Sequence, residues 1–203
     1  MWRVAVLTVV GLWSESPPQR QRCAEPRYRW SAKIDTTLAA LTPQPASIPE
    51  MLQSWDVPAL RARDACAPRA ARELLVYRVR GWVRRLETSK DDGDWHIELT
   101  DRPDGPADSC IVAEIPQGKL GSAYRQARAD LRRLVADWRR SKGGVLAKPV
   151  EVQLVGAAFF DGHHRAGGAG GRRRDTIDPK HGRRNSSLRA LWEIHPVYRV
   201  EPP

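Results

Sequence analysis

Five runs of alternating apolar and polar residues, all between residues 75 and 200, constrain the fold of this chain most strongly. In the first run, Tyr77 and Val79 fall on one face and Arg78 and Arg80 on the other, as in a strand with one buried face. The predicted strands are 75–87, 95–101, 110–116, 150–161 and 190–200, with one helix at 122–140. This β-β-β-α-β-β order predicts a mainly β fold with one helix, a five-stranded Greek-key barrel of the OB type.

The chain before the barrel is predicted to be irregular. Eight prolines between residues 17 and 72 exclude long helices and strands, so we expect a Pro-rich arm with short helices, followed by the barrel at 73–203. Residues 1–16 contain a ten-residue apolar run that is too short to span a bilayer and fits a signal peptide. A short buried strand is the alternative, because no cleavage site follows this run. No other segment is a candidate transmembrane span.

The composition indicates acidic partners. The formal net charge of +10 favours nucleic acid, an anionic membrane surface or acidic protein. Arginine outnumbers lysine, which suits bidentate phosphate contacts, although a GC-rich genome produces the same bias. Three cysteines are too few for a disulfide-rich class, and their spacing does not suggest zinc. We expect three thiols of minor structural importance, and one bridge with a spare thiol is the alternative.

A basic loop at residues 162–187 is the first candidate binding surface. It is rich in glycine and arginine and lacks a core-forming pattern, so it is predicted to be flexible. In OB folds this loop flanks the oligonucleotide groove, and outward arginines beside an aromatic residue on the first strand would add stacking. The predicted polyanion-binding residues are Arg78, Arg80, Trp82, Arg84, Arg172, Arg173, Arg174, Lys180, Arg183 and Arg184. The acidic loop at Asp91, Asp92 and Asp94 opposes this prediction, and a solvated loop without a ligand is the alternative.

A set of histidines is the second candidate site. The side chains that could supply nitrogen and oxygen ligands to a divalent metal are His96, Asp161, His164 and His195. Their spacing matches no known metal signature, and solvated histidines are the alternative. Glu98, Glu114 and Glu193 are single carboxylates on strands without an identifiable nucleophile. The chain has no GxSxG, P-loop, GxGxxG or HExxH motif, so the sequence favours binding over catalysis.

The motifs DGDWHIELTD, VAEIP, VGAAFFDGHH and LWEIHPVYRV together resemble a family of uncharacterised bacterial proteins. The resemblance covers residues 76–200 and, more loosely, the upstream segment RWSAKIDTTLAAL. By position it picks out Asp94, His96, Asp101, Glu114, Phe160, Asp161, His164, Glu193, His195 and Pro196. Relatives often look exported, so the resemblance implies export, and it implies no activity. The arginine-rich insertion at 165–188 departs from the family pattern, which would make the basic loop a local addition.

The sequence therefore predicts a non-enzymatic binding module for nucleic acid or another polyanion. The alternative is a metal-assisted, phosphodiesterase-like hydrolase that uses the histidine and aspartate side chains with a divalent metal. Nucleases of the staphylococcal type share the strand order, but their arginine and carboxylate set has no counterpart in this sequence. A third interpretation is an exported domain with a structural or interaction role. An exported location is favoured over a cytoplasmic one.

Overall fold

A computed structural model describes residues 23–136, 142–167, 175–177 and 185–203. The strands are β1 Gln44–Ala46, β2 Val76–Thr88, β3 Trp95–Thr100, β4 Ile111–Ile115, β5 Val145–Phe160, β6 Arg165–Ala166, β7 Thr176–Ile177 and β8 Trp192–Glu201. The α-helices are α1 Trp30–Lys33, α2 Ile48–Gln53 and α3 Ser122–Leu134. Short 3-10 turns lie at Thr37–Ala40, Ala71–Leu74, Ala107–Ser109, Gly118–Leu120, Lys142–Gly144, Gly162–His164 and Leu188–Leu191.

Five strands close into a barrel in the order β2-β3-β4-β8-β5, because β5 also pairs with β2. All neighbours in this ring are antiparallel except β4 and β8, which are parallel. The helix α3 lies in the connection between β4 and β5. The predicted mainly β fold, an OB-like five-stranded barrel with one helix in that connection, is confirmed.

The barrel interior contains the residues that the alternation predicts to face inwards. Tyr77, Val79, Ile97, Ile194 and Tyr198 all belong to one buried core. The helix α3 adds Tyr124, Ala127 and Leu131, which recur at three- and four-residue spacing on its buried face. The predicted end of this helix, residues 137–140, lies outside the described residues.

The arm, residues 23–72 of the described chain, packs against the outside of the barrel. Its strand β1 pairs in parallel with the start of β2. The helix α2 begins with a capping box in which Ser47 accepts a hydrogen bond from the backbone N–H of Glu50. This helix buries Ile48 and Met51, and Trp55 just beyond it is also buried. The arm therefore adds side chains to the same buried core that the strands form.

Cys23 and Cys66, separated by 43 residues, form a disulfide within the arm. Cys110 is half-buried and takes no part in this bridge. The expectation of three structurally minor thiols is therefore wrong, because the fold brings the two arm segments together, with the N–H of Arg29 donating to the carbonyl of Ala65 at 2.9 Å. Disulfides persist mainly in oxidising compartments, so the bridge favours an exported location, which stays a prediction.

Removing the disulfide is expected to destabilise the protein. The double variant Cys23→Ser/Cys66→Ser should lose roughly 2–4 kcal/mol of unfolding free energy, because the unfolded arm regains chain entropy. Urea titration followed by tryptophan fluorescence measures this loss. Cys110→Ser is the matched control and is expected to change the unfolding free energy by less than about 1 kcal/mol. Equal urea midpoints for the double variant and the control would contradict a stabilising bridge.

Two predicted segments fall wholly or largely outside the described residues. These are the signal-like segment 1–16 and most of the basic loop 162–187. Within the described part of the chain, none of the helices is long and apolar enough to cross a membrane.

Candidate functional site

Histidine and carboxylate side chains cluster on the outer face of β3, β4 and β8. We call Asp94, His96, Glu114, Glu193 and His195 the histidine–carboxylate cluster. His96 lies opposite Glu114 across the β3–β4 pair. Asp94 immediately precedes β3, and Glu193 and His195 belong to β8. Because side chains alternate along a strand, the strand members of this cluster point away from the barrel core.

His195 is fully buried and contacts three carboxylates. Its Nδ1 lies 3.0 Å from Oε2 of Glu114 and 3.6 Å from Oε2 of Glu193, and its Nε2 lies 3.4 Å from Oδ2 of Asp94. Burial alone would lower the pKa of His195. The charge of Glu114 and the contacts with the three carboxylates outweigh burial and raise this pKa well above its ordinary value.

Glu114 joins the two histidines of the cluster. Its Oε1 lies 2.9 Å from Nδ1 of His96, and its Oε2 lies 3.0 Å from Nδ1 of His195. Burial would raise the pKa of this carboxyl group. The charge of His195, the hydrogen bonds from both imidazoles and the charge of Lys33 outweigh burial and hold the pKa of Glu114 well below its usual range. Glu114 is therefore an ionised, bridging carboxylate.

A second histidine–carboxylate pair follows the end of β5. Nε2 of His164 lies 3.2 Å from Oδ2 of Asp161. The other carboxylate oxygen, Oδ1, accepts a hydrogen bond of 3.1 Å from the backbone N–H of His163, which fixes Asp161 at the start of the turn. Nζ of Lys33, from α1, lies 3.7 Å from Oδ2 of Asp161. Burial would lower the pKa of Lys33, but Asp161, Glu114 and Glu193 raise it above its ordinary value, so this lysine stays charged.

The arm covers the cluster and explains why His195 is buried. The guanidinium group of Arg69 donates hydrogen bonds to the carbonyl of Ala32 at 2.6 Å and to the carbonyl of His195 at 2.8 Å. Phe159, on the neighbouring strand β5, lies beneath the guanidinium groups of Arg29 and Arg69, at 4.9 and 5.8 Å from the ring centroid. The prediction that His195 faces outwards holds relative to the core, but its accessibility is 0% because the arm lies over it.

A bulge in β8 sets the position of His195. The register between β5 and β8 shifts on both sides of Gly156. A Cβ atom at position 156 would lie only 2.4 Å from the carbonyl oxygen of Pro196, so the two backbones can approach this closely only at a glycine. Bulges redirect side chains relative to a regular strand, and this one lies beside the residue that contacts Glu114.

An open cavity of about 530 Å³ borders the cluster. It lies between the β2–β3 loop and the turn after β5, the two loops that flank the ligand groove in OB folds. Its carboxylates are Glu87, Asp91, Asp92, Glu114, Asp161 and Glu193. Its other titratable side chains are Arg27, Tyr28, Lys33, His96, His163 and His164. Six carboxylates against one arginine and one lysine give the described wall an excess of negative charge.

Asp94, Glu114 and His195 have the arrangement of a metal-binding trio. One ligand atom from each residue lies within 4.8 Å of those of the other two, and all three residues are buried. Neither oxygen of Asp94 accepts a hydrogen bond of acceptable geometry from the residues that the structure describes. A buried carboxylate without such bonds is costly. The imidazole of His195, 3.4 Å from Oδ2, offsets part of this cost, and a divalent cation would offset more. Two carboxylates and one imidazole suit a divalent ion such as Zn²⁺ or Mn²⁺.

The predicted metal ligands form two groups at this cavity. His96 and His195 both contact Glu114, whereas Asp161 and His164 contact each other. Of these four, His195 belongs to the trio, and the other three side chains line the cavity.

Sequence reasoning did not place Asp94 or Glu114 among the metal ligands. Glu114 could have been found from the sequence, because β4 lies between β3, which carries His96, and β8, which carries His195. All three side chains face outwards. For Asp94 the indication was the resemblance to the bacterial family, whose motifs include this position. The sequence gives no indication that Lys33 belongs to the site, because its approach depends on how the arm folds.

The described arginines of the predicted polyanion surface are paired with carboxylates. The ion pairs are Arg78–Glu201, Arg80–Glu151 and Arg84–Glu98. Trp82, between them, is half-buried. These pairs reduce the positive charge that this face of β2 offers to phosphate. The remaining predicted residues, Arg172, Arg173, Arg174, Lys180, Arg183 and Arg184, lie outside the described residues, so polyanion binding stays a prediction.

Comparison with known proteins adds no further assignment. No protein-family model, no curated protein and no solved structure matches the chain. The resemblance to the uncharacterised bacterial family therefore stays a prediction, and function has to be inferred from the site itself.

Proposed function

We propose that this protein is a hydrolase that uses a divalent metal ion held by Asp94, Glu114 and His195, and that its substrate is a phosphodiester. The observation that supports this proposal is the convergence of the three ligand atoms within 4.8 Å of one another, beside an open cavity of about 530 Å³ whose wall includes Glu114. Three protein ligands leave coordination positions for water and substrate, as in catalytic metal sites.

The charge balance of the site favours a divalent cation. Asp94, Glu114, Asp161 and Glu193 are four buried carboxylates. His195 contacts three of them, Lys33 contacts Asp161, and the imidazoles of His96 and His164 contact Glu114 and Asp161. Removing a carboxylate from water costs several kcal/mol unless it is paired. A divalent ion bound in place of the proton on His195 would reduce the net negative charge of this group of side chains.

The cavity wall also supplies groups suited to ester hydrolysis. A bound divalent metal provides an activated water molecule. Asp161 contacts the imidazole of His164, and this imidazole lines the cavity. His96 contacts Glu114 from the opposite side to His195 and would fix the orientation of that ligand. The acidic wall argues against binding of a polyanion in this cavity without a metal ion.

Metal titration tests the proposal. Protein stripped with EDTA should bind Mn²⁺ in calorimetry, should hydrolyse bis(p-nitrophenyl) phosphate when Mn²⁺ is added, and should lose this activity when EDTA is restored, because the metal supplies the activated water. Asp104→Asn, at a residue whose side chain is 82% exposed, is the control and should behave like the wild type. Failure to bind Mn²⁺, Zn²⁺ or Mg²⁺ would overturn the metal site. Binding without hydrolysis of any phosphodiester would overturn the hydrolase assignment alone.

A further inference from the structure

We propose that Lys33 and Arg27 form a subsite for the phosphoryl group of the substrate, in the cavity that Glu114 of the Asp94–Glu114–His195 trio also lines. This inference rests on the proposed function and names the part of the cavity that recognises the substrate. It assigns a binding role to the arm, which would otherwise serve only as a cover for the barrel.

The charged residues that line the cavity come from two parts of the chain. Its carboxylates lie on the barrel strands and their connecting loops, whereas Arg27 and Lys33 belong to the arm. In the described part of the chain these two residues are the arginine and lysine of the cavity wall. A phosphoryl group in the cavity could contact these fixed cations together with the metal ion of the proposed function. Enzymes of phosphoryl transfer stabilise the charge of the reacting group in this way.

Lys33 has the placement and the protonation state for this role. Its side chain is 12% exposed, and its Nζ lies 5.3 Å from the ring centroid of Phe159. The distance of 3.7 Å between Nζ and Oδ2 of Asp161 is too long for a strong hydrogen bond. The ammonium group therefore retains hydrogen-bonding capacity for an oxyanion, and Asp161 holds it at the cavity.

Arg27 lies at the exposed rim of the same wall. Its Nη2 donates a 2.7 Å hydrogen bond to the carbonyl of Asp91, and its guanidinium carbon lies 4.9 Å from the ring centroid of Trp30. These contacts hold the guanidinium group against the β2–β3 loop, where Arg27 is exposed and lines the cavity. Guanidinium groups bind phosphate oxygens through several N–H donors in a fixed geometry.

A disulfide and a buried ion pair fix the segment of the arm that carries Arg27 and Lys33. Both terminal nitrogens of Arg29 donate to the carboxylate of Glu73 at 2.7 Å, in a pair that is almost fully buried. The disulfide between Cys23 and Cys66 joins the segment that precedes Arg27 to the segment that precedes Glu73. Lys33 and Arg27 are thus carried by a segment that is anchored at two points, as a preorganised binding site requires.

Inorganic phosphate is the probe that tests the subsite. Phosphate should bind to the Mn²⁺-loaded wild type in calorimetry, and Lys33→Met should weaken this binding at least about tenfold, as the loss of one charge-assisted hydrogen bond predicts. The same variant should bind Mn²⁺ as tightly as the wild type or more tightly, because a neighbouring positive charge is removed. Lys33→Arg should restore part of the phosphate affinity. Lys119→Met, at an exposed lysine away from the cavity, is the matched control.

The outcomes separate the subsite from the metal site. If the wild type binds no divalent metal, the proposed function is wrong. If metal binds and Lys33→Met keeps the phosphate affinity of the wild type, only the subsite is wrong, and Lys33 serves to neutralise carboxylates. If Lys33→Met does not fold in thermal melting, Arg27→Gln, at an exposed position, provides the measurement. Unchanged phosphate affinity in Arg27→Gln would then overturn the subsite.

Discussion

Replacing Glu114 with glutamine is expected to lower metal-dependent hydrolysis by at least about 100-fold, the upper end of what loss of an outer-shell partner of a metal costs. Glu114 belongs to the metal-binding trio and also contacts His96 and His195 through its two oxygens. The neutral amide is a weak ligand for a divalent ion, and its nitrogen cannot accept the second hydrogen bond. The variant therefore loses one ligand and the orientation of two imidazoles.

Mn²⁺ titration and initial rates on bis(p-nitrophenyl) phosphate, measured on the same preparations, check this prediction. Glu151→Gln is the matched control, since Glu151 pairs with Arg80 on the outside of the barrel and should keep metal affinity and rate within about twofold. Thermal melting checks that Glu114→Gln is folded, and Asp94 and Glu193 still contact His195 in this variant. A folded Glu114→Gln variant with the metal affinity and rate of the wild type would refute the role of this carboxylate.

Replacing Arg29 with methionine is expected to lower the free energy of unfolding by about 3–5 kcal/mol, the cost of breaking a buried ion pair on one side. The side chain of Arg29 is 0% exposed. Besides its two bonds to Glu73, it donates to the carbonyls of Ala67 at 2.9 Å and Pro68 at 3.0 Å. Methionine fills similar space but leaves Glu73 charged and buried. Urea unfolding followed by tryptophan fluorescence measures the loss.

A double-mutant cycle separates the ion pair from packing. In Arg29→Met/Glu73→Gln the charge is absent from both positions. The amide oxygen introduced by Glu73→Gln would still accept the hydrogen bond that the backbone N–H of Phe160 donates to Glu73 at 2.9 Å. The double variant should therefore recover part of the lost stability, and the coupling energy should exceed about 1 kcal/mol. If Arg29→Met and the double variant have the same free energy of unfolding, the loss comes from packing alone.

The barrel could be predicted from the sequence because its signal is local. Alternation in β2 places Tyr77 and Val79 inside and Arg78 and Arg80 outside, and the same period holds in most of β3. Alternation tells which side chains leave the core, but it does not tell what lies beyond them. His195 was therefore assigned to an open surface, whereas the structure places it beneath the arm.

The candidate site could be predicted only in part, for a related reason. His96 and His195 were recognised one by one, but the bridge through Glu114 depends on strand order in the closed sheet. The contact between Lys33 and Asp161 joins residues more than a hundred positions apart, and the disulfide joins two irregular segments. Propensities and periodicity contain no information about such distant partners, since both describe neighbours along the chain.

The cover that the arm provides has a consequence for the smallest unit that can function. A chain that began at β2 would keep all five barrel strands, but Phe159 and His195 would then meet water and the cavity would lose Arg27 and Lys33. Such a chain would also lose Ile48, Met51 and Trp55, which pack in the same buried core as the strands. Truncations designed around the strands alone would therefore remove one side of the candidate site together with part of the core that supports it.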